Sequence, residues 1–396
     1  MKKLSLYLIL LCLPGLLLSQ NAEDVVAPFI GMAGPGSRAD GIGQAYAGIA
    51  DDFSAIHYNP AGLAHITWAE LSLGGTYFSL DNSVTTTKNE TVTANTTRNY
   101  FHTNSLGYVW PVYGLKFTLG VGYNTVALTD QALRIQWQDS TEFTNEESNL
   151  GAYTIAGGYQ LQKELSVGIG LHLYRGDNVY SSQMYRVGET NSAYEIDSHY
   201  SGVGFTLGIL WAPIDFLRTG FSFKSPKYLD VDETLTGTWG DWNGNYQIQS
   251  PPEVQLGQSV TLGNFLVAGS VVWKDWSSSE MSADIPGYNG VPIDIEVNHN
   301  IQNDFASVLE LAAGAEYLLP IMDAKIRGGV HHVPSYRNDD SVGDRLVLSG
   351  GVSVILAQQF KVDWSISRAS WAEIYNQQES ADIINTWSTI NFSYRF

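Results

Sequence analysis

LSVGIGLHLY, Leu165 to Tyr174, carries an apolar side chain at every second position: Leu165, Val167, Ile169, Leu171 and Leu173 share one face. Ser166, Gly168, Gly170, His172 and Tyr174 share the other. A period of two is the pattern of a strand with one apolar face. The same alternation runs through Phe117, Leu119, Val121 and Tyr123; through Val203, Phe205, Leu207, Ile209 and Trp211; and through Phe360, Val362, Trp364 and Ile366. Alternation by itself fits both a soluble sandwich, with that face as core, and a membrane barrel, with that face toward lipid.

The connections separate the two. Strands are expected near 68–80, 98–112, 114–128, 149–162, 164–176, 200–214, 216–226, 253–262, 264–275, 305–319, 322–333, 345–357, 359–370 and 385–396. Short turns around Tyr113, Lys163, Asp215, Gly263, Pro320 and Gln358 alternate with long polar loops at 81–97, 129–148, 177–199, 227–252, 276–304, 334–344 and 371–384. Short connections on one side and long ones on the other mark an outer-membrane barrel. An even count also returns the last strand to the first and leaves no open edge. The reading is an all-β, fourteen-stranded antiparallel transmembrane β-barrel over residues 67–396, with room for additional extracellular strand in 227–252. No convincing helical period is found in it.

Both ends of the chain agree with export to the outer membrane of a Gram-negative bacterium. Lys2 and Lys3 precede an apolar run from Leu4 to Leu18 that Pro14 and Gly15 interrupt, and the run is short for a membrane helix. Residues 1–19 are therefore expected to be a signal peptide, cleaved after Ser19 or near Ala22. The single cysteine, Cys12, falls inside it, so the mature chain is expected to have no disulfide and no thiolate metal site. At the other end Ile390, Phe392, Tyr394 and Phe396 alternate with Asn391, Ser393 and Arg395. A terminal aromatic such as Phe396 resembles the signal read by the barrel-assembly machinery.

Beyond the leader no apolar stretch is long enough for a membrane helix, which removes helical-bundle transporters. A formal charge of −19, from 40 acidic against 21 basic residues, removes nucleic acid as a partner. The 39 glycines, 22 tyrosines and 11 tryptophans suit closely packed strands with aromatic belts at the lipid interfaces.

Residues 20–66 read differently, as a compact Gly/Ala-rich N-terminal plug. The stretch GMAGPGSRADGIGQAYAGIADDFSAIHYNPAGLA, Gly31 to Ala64, resembles the plug, or hatch, of the FadL family of outer-membrane transporters for hydrophobic compounds. The matching residues are Gly41, Gly43, Ala45, Ala47 and Gly48, then Asp51, Asp52 and Ser54, then Asn59, Pro60, Ala61 and Gly62. The likeness extends through Pro252–Val254, Val271–Ser277, Glu310–Tyr317, Arg327–Gly329, Pro334 and Leu348–Gly351. It implies a plug domain folded into the lumen of a fourteen-stranded barrel, and passive uptake of a hydrophobic small molecule such as a long-chain fatty acid or an aromatic hydrocarbon. It also implies lateral exit into the outer-membrane lipid through a gap at a kinked third strand, where Gly120 and Gly122 would permit a bend. A carboxylate cargo would call for a lumenal cation; Lys116, Lys274, Lys325 and Arg327 are the candidates by strand parity, with a rim position from which each would snorkel as the equal alternative. The stretch ADDFSAIHYNPAGL, Ala50 to Leu63, is nearer to a branch of accessory barrels that receive secreted proteins, which supplies an alternative function and an alternative class of partner.

Read as physics alone, Asn59 before Pro60 favours a turn, and its amide can hydrogen-bond into the barrel wall. Asp51 and Asp52 are expected in a polar turn or in plug-to-wall hydrogen bonds, not as metal ligands. No nucleophile, base and orienting group are spaced as a catalytic set, so an enzyme is not expected, nor a cofactor or metal. His331 and His332 are adjacent on a strand, face opposite sides and make a poor chelate; solvent or rim positions are expected for them. Gly34-Pro35-Gly36 lacks the lysine of a phosphate loop, and Arg175-Gly176-Asp177 is read as an accidental tripeptide in a loop.

Overall fold

The structure, a computed structural model, describes residues 21–31, 34–87, 91–136, 140–188, 191–238, 240–285, 292–320, 322–376 and 379–396. The expected leader, with Cys12 and Ser19, lies outside them.

Among the described residues, seventeen strands follow one another. They are β1 (Glu70–Thr86), β2 (Val92–Val112), β3 (Phe117–Gln136), β4 (Ser140–Gln162), β5 (Leu165–Arg186), β6 (Ser192–Ile214), β7 (Leu217–Lys224), β8 (Tyr228–Gly237) and β9 (Trp242–Gln249). Then come β10 (Glu253–Leu262), β11 (Phe265–Asp275), β12 (Glu280–Ser282), β13 (Ser307–Leu319), β14 (Ala324–Val333), β15 (Arg345–Leu356), β16 (Phe360–Asn376) and β17 (Glu379–Arg395). Fourteen of them, all but β8, β9 and β12, pair antiparallel in a closed ring. β7 joins β10, β11 joins β13, and β17 returns to β1 from Glu70↔Arg395 to Thr86↔Glu379.

Burial decides between sandwich and barrel. On β5 the apolar face is the exposed one, with Ile169 50%, Leu171 59% and Leu173 43% accessible, while His172 and Tyr174 face inward and are buried. A soluble core would reverse this. The apolar side chains face lipid and the small and polar ones face the lumen.

Several expected loops are strand instead. The segments 81–97, 129–148, 177–199 and 371–384 are largely the upward continuations of β1 to β6 and of β16 and β17, which stand well above the apolar band. The region 227–252 holds the β8–β9 hairpin, with β8 on β6 and β9 on β12. Within 276–304, helix Ile293–Asp304 buries Ile293, Val297 and Ile301, a four-residue spacing that corrects the expectation of no helical period. The signal was in the sequence, inside a segment otherwise polar enough to read as loop.

Residues 21–66 fold inside the ring as short helical pieces: α1 (Ala22–Val26), α2 (Ser37–Gly41), α3 (Ala55–Tyr58) and two 3₁₀ turns, Ala27–Phe29 and Pro60–His65. With the helix of 293–304 as α4, two apolar cores result. The lower joins Ile42, Tyr46, Ile49, Phe53, Ile56 and Leu63 to Val109, Ala156 and Ala268 of the wall. The upper joins Val25, Val26 and Phe29 to Leu150, Leu229, Ile248, Trp276 and Met281 and to α4.

Candidate functional site

The plug is tied to the wall around most of its circumference. Asn59 N-caps the second 3₁₀ turn, its Oδ1 accepting from Ala61 N at 3.2 Å. Its Nδ2 donates to Ala47 O within the plug and to Ile209 O on β6, each at 3.0 Å. Pro60 follows because its φ suits the first helical position and it has no N–H to satisfy. The chains come so close that a Cβ on Gly168 would lie 2.2 Å from Pro60 C, and one on Gly220 1.9 Å from Ala47 O. Asn59→Ala leaves Ile209 O and Ala47 O without that donor. The expected loss is about 1–3 kcal/mol, read as a lower temperature for the heat-induced shift in electrophoretic mobility.

Two charges within the Gly/Ala run form the strongest ties. Arg38 grips Glu316 of β13 through Nε and Nη2, both at 3.0 Å, and also pairs with Asp51. Glu316 is shared with Lys325 at 2.9 Å and Arg327 at 3.5 Å. Arg327 reaches Asp363 at 2.9 Å, Asp363 holds Lys361 at 2.7 Å, and Lys361 faces Asp52 of the plug at 3.8 Å. The circuit begins and ends on the plug. Asp52 also accepts from Ser54 N and Oγ at 3.0 and 2.5 Å, closing a turn. Asp40 accepts from Trp387 Nε1 at 3.0 Å, Ser365 Oγ at 3.0 Å and Ser367 Oγ at 3.2 Å. Neither Arg38 nor Asp40 was singled out from sequence, although two charges inside a run of small residues have few ways to be buried except in pairs.

Of the four cations considered as lumenal, Lys325 and Arg327 belong to this circuit. Lys274 lines the lumen. Lys116 corrects the parity argument: it lies exposed in the β2–β3 turn, because β3 begins one residue later, at Phe117. Gly120 and Gly122 sit in an unbroken ladder with β2 and β4, and a Cβ on either would lie 2.7 Å from Ile56 of the plug. They make room for Ile56. His331 is buried in the lumen with Nε2 3.3 Å from Glu310, contrary to the expected rim position, while His332 faces Asp344 outside. Phe396 donates its N–H to Ala69 O at 2.9 Å and sets its exposed ring against Tyr394 and Tyr108.

Above the plug lies a cavity of about 160 Å³, bounded by Phe29, His57, Tyr58, Val126, Val272, Val308 and Trp387 among others. A belt of charge crosses its wall: Lys224–Glu253 at 2.8 Å, Glu253–Lys274 at 3.6 Å, Lys274–Glu310 at 2.7 Å, then Glu310–His331. His172 also lines the cavity, bonded to Thr154 and Thr206 at 2.8 Å each. Over this cavity is a wider vestibule of about 890 Å³, with Tyr100, Leu128, Asp130, Glu146, Trp371 and Ile383 in its walls. Ile30, Tyr336 and Arg345 border both spaces. The N-terminal segment is thus the partition between them. At the vestibule rim, Arg337 holds the Asp339 carboxyl below the usual carboxylate range through a 2.8 Å pair and is itself fixed to Glu23 of the plug at 2.9 Å.

One side of the vestibule is slit. β2 pairs with β3 only from Val112↔Phe117 up to Ser105↔Asn124. Above that level, among the described residues, β2 pairs with β1 alone and β3 with β4 alone. The β3–β4 ladder shifts register between Thr125 and Ala127, so Val126 is a bulge that turns β3 away from β2. Side chains bridge the slit where backbone does not: His102 Nε2 meets Thr125 Oγ1 at 2.9 Å, and Arg98 pairs with Asp130.

Comparison with known proteins agrees with this architecture. The profile of the family described as outer membrane protein transport protein (OMPP1/FadL/TodX) matches residues 31–393. Among solved structures, a FadL homologue of Pseudomonas aeruginosa superposes with a TM-score of 0.68 at 15% identity, covering 90% of this chain and 97% of the other. The toluene transporter TbuX of Ralstonia pickettii gives 0.61 at 16% identity, with 92% and 98% covered. The P. putida toluene transporter TodX gives 0.61 at 12%, with 87% and 94% covered. At these identities the likeness is one of fold. Direct comparison with curated protein sequences finds no significant match.

Proposed function

This chain belongs to the OMPP1/FadL/TodX family of outer membrane proteins that transport hydrophobic compounds, and from that premise we propose that it takes up apolar or amphipathic small molecules passively, with lateral exit. Ligand collects in the vestibule, the Phe29–Gly31 partition moves aside, and the cavity above the plug receives it. The exit is the lower end of the slit between β2 and β3, at the His102–Thr125 bridge and beside Val126 of the cavity wall. The slit is the observation that carries this reading, because a barrel that released its cargo straight down would have no use for an interrupted ladder and would still have to eject a plug bonded to the wall on several sides.

The test is uptake of a labelled long-chain fatty acid and of labelled toluene by cells lacking other such transporters. Expression of the chain is expected to raise uptake of at least one of them. No gain for either would remove the transport reading. The plug stretch Ala50–Leu63 favours a second reading, an accessory barrel for secreted proteins. Secreted proteins retained on the purified barrel, with no lipid or other small molecule in the lumen, would favour it.

A further inference from the structure

A cavity that takes hydrocarbon alone needs no hydrogen-bonding groups in its walls, yet this one keeps two without partners. Gln44 Nε2 and Gln255 Oε1 are both shut off from solvent, both lack a hydrogen-bond partner, and both residues line the lumenal cavity. Tyr58 Oη donates to Gln44 Oε1 at 2.6 Å, which leaves the Gln44 amide with N–H groups to offer. Gln255 is 4% exposed, on the inward face of β10 between Glu253 of the charged belt and Gly257 beneath the plug. Gln44 holds this place at φ 65°, a left-handed conformation that residues other than glycine seldom adopt.

Most of the charges nearby are already matched or covered. Lys224 and Lys274 are matched by Glu253 and Glu310. Lys227 and Arg345 rest over aromatic rings, 5.9 Å from the centre of Phe29 and 5.4 Å from that of Trp371. The vestibule above sets Asp130, Glu146, Asp339, Asp340 and Glu373 against Arg337 and Arg345. A carboxylate would cross that field unfavourably, and it can only accept hydrogen bonds. A hydroxyl both donates and accepts.

We propose that the cavity is a subsite for the hydroxyl head of a neutral amphiphile, an alcohol that donates to Gln255 Oε1 and accepts from Gln44 Nε2. Its hydrocarbon body lies along Phe29, Val126, Val272 and Val308. The proposal rests on the transport reading and narrows its cargo. A site built to hydrogen-bond a hydroxyl discriminates strongly against the analogue without one.

The experiment is equilibrium binding of labelled 1-dodecanol, dodecane and dodecanoate to the full-length protein in lipid nanodiscs, with partition into empty discs subtracted. Dodecanol is expected to bind about tenfold or more tighter than either of the others. Gln255→Leu should cut that preference to about twofold or less. Gln44→Gly, which suits the left-handed backbone, should do the same, so a folding failure of one variant is not decisive. Equal binding of dodecanol and dodecane, or a preference that survives both substitutions, overturns the proposal. So does dodecanoate as the tightest ligand, which would assign the head group to Lys227. Binding of none of the three removes the transport reading along with it.

Discussion

Arg38→Met converts a sealed barrel into a conducting one. Among the described residues, Arg38 is the plug residue that joins Glu316 and Asp51 in the circuit described above, and all but Asp51 of these groups are buried. Removing this buried cation breaks the two-pronged tie to Glu316, which keeps Lys325 and Arg327, and leaves Asp51 with Arg218, at about 3–4 kcal/mol. That is roughly a 10²–10³-fold change in the ratio of seated to unseated plug. Methionine keeps much of the side-chain volume, so the effect is not that of a hole. Planar-bilayer conductance is expected to rise from near zero to frequent large openings, and cells are expected to become sensitive to bulky hydrophilic antibiotics. The double variant Arg38→Met/Glu316→Gln removes the surplus negative charge while keeping an amide oxygen for Lys325 to donate to, and should close the pore in part. A barrel with Arg38→Met that stays non-conducting, with heat-modifiable mobility intact, would show that the ion circuit is dispensable for the seal.

Deleting Val126 is expected to close the slit. The deletion leaves Thr125 opposite Gly151 and Ala127 opposite Leu150, so no side chain on β3 changes face. Without the bulge, β3 can continue its ladder with β2 above Asn124. Each backbone hydrogen bond gained contributes about 0.5–1.5 kcal/mol, and two or three suffice to lower the open population about tenfold or more. Uptake should fall in proportion, and by more than ligand binding to the purified protein, from which only the Val126 contact is lost. Undiminished uptake by a well-folded deletion variant would move the exit elsewhere.

What the sequence allowed one to read follows from where the physics is local. The lipid-facing strands announce themselves because one face must be apolar, as in Leu165–Leu173. Their upper halves do not. In β2, Thr93, Asn95, Thr97 and Asn99 face outward and Arg98, Tyr100 and His102 face inward, Tyr100 onto the vestibule; both faces are largely polar, so no period in hydrophobicity survives and the segment reads as loop. The plug was legible in composition and in Asn59-Pro60, whose side-chain bond to the wall was expected and is present. The identity of the wall's acceptor was not, since Ile209 lies 150 residues away. The slit is the least legible feature of all. Gly120 and Gly122 looked like the place for a bend because glycine permits one, yet glycine equally permits a neighbour to come close, and here Ile56 takes the space. Whether β3 leaves β2 depends on one extra residue in its pairing with β4, which no pattern along β3 alone reveals.

The N-terminal domain and the slit are parts of a single continuous strap. Only residues 66–69 separate the last 3₁₀ turn of the plug from β1, and β1 carries β2, the fixed lip of the slit. On its far side β1 is riveted to β17 over its whole length. A tug on the plug is therefore delivered to a hairpin clamped along one margin and loose along the upper part of the other, as on a hinged shutter with its cord attached. On the proposed route, cork and side door are worked by the same length of backbone, so a ligand that dislodges the first would already lean on the second.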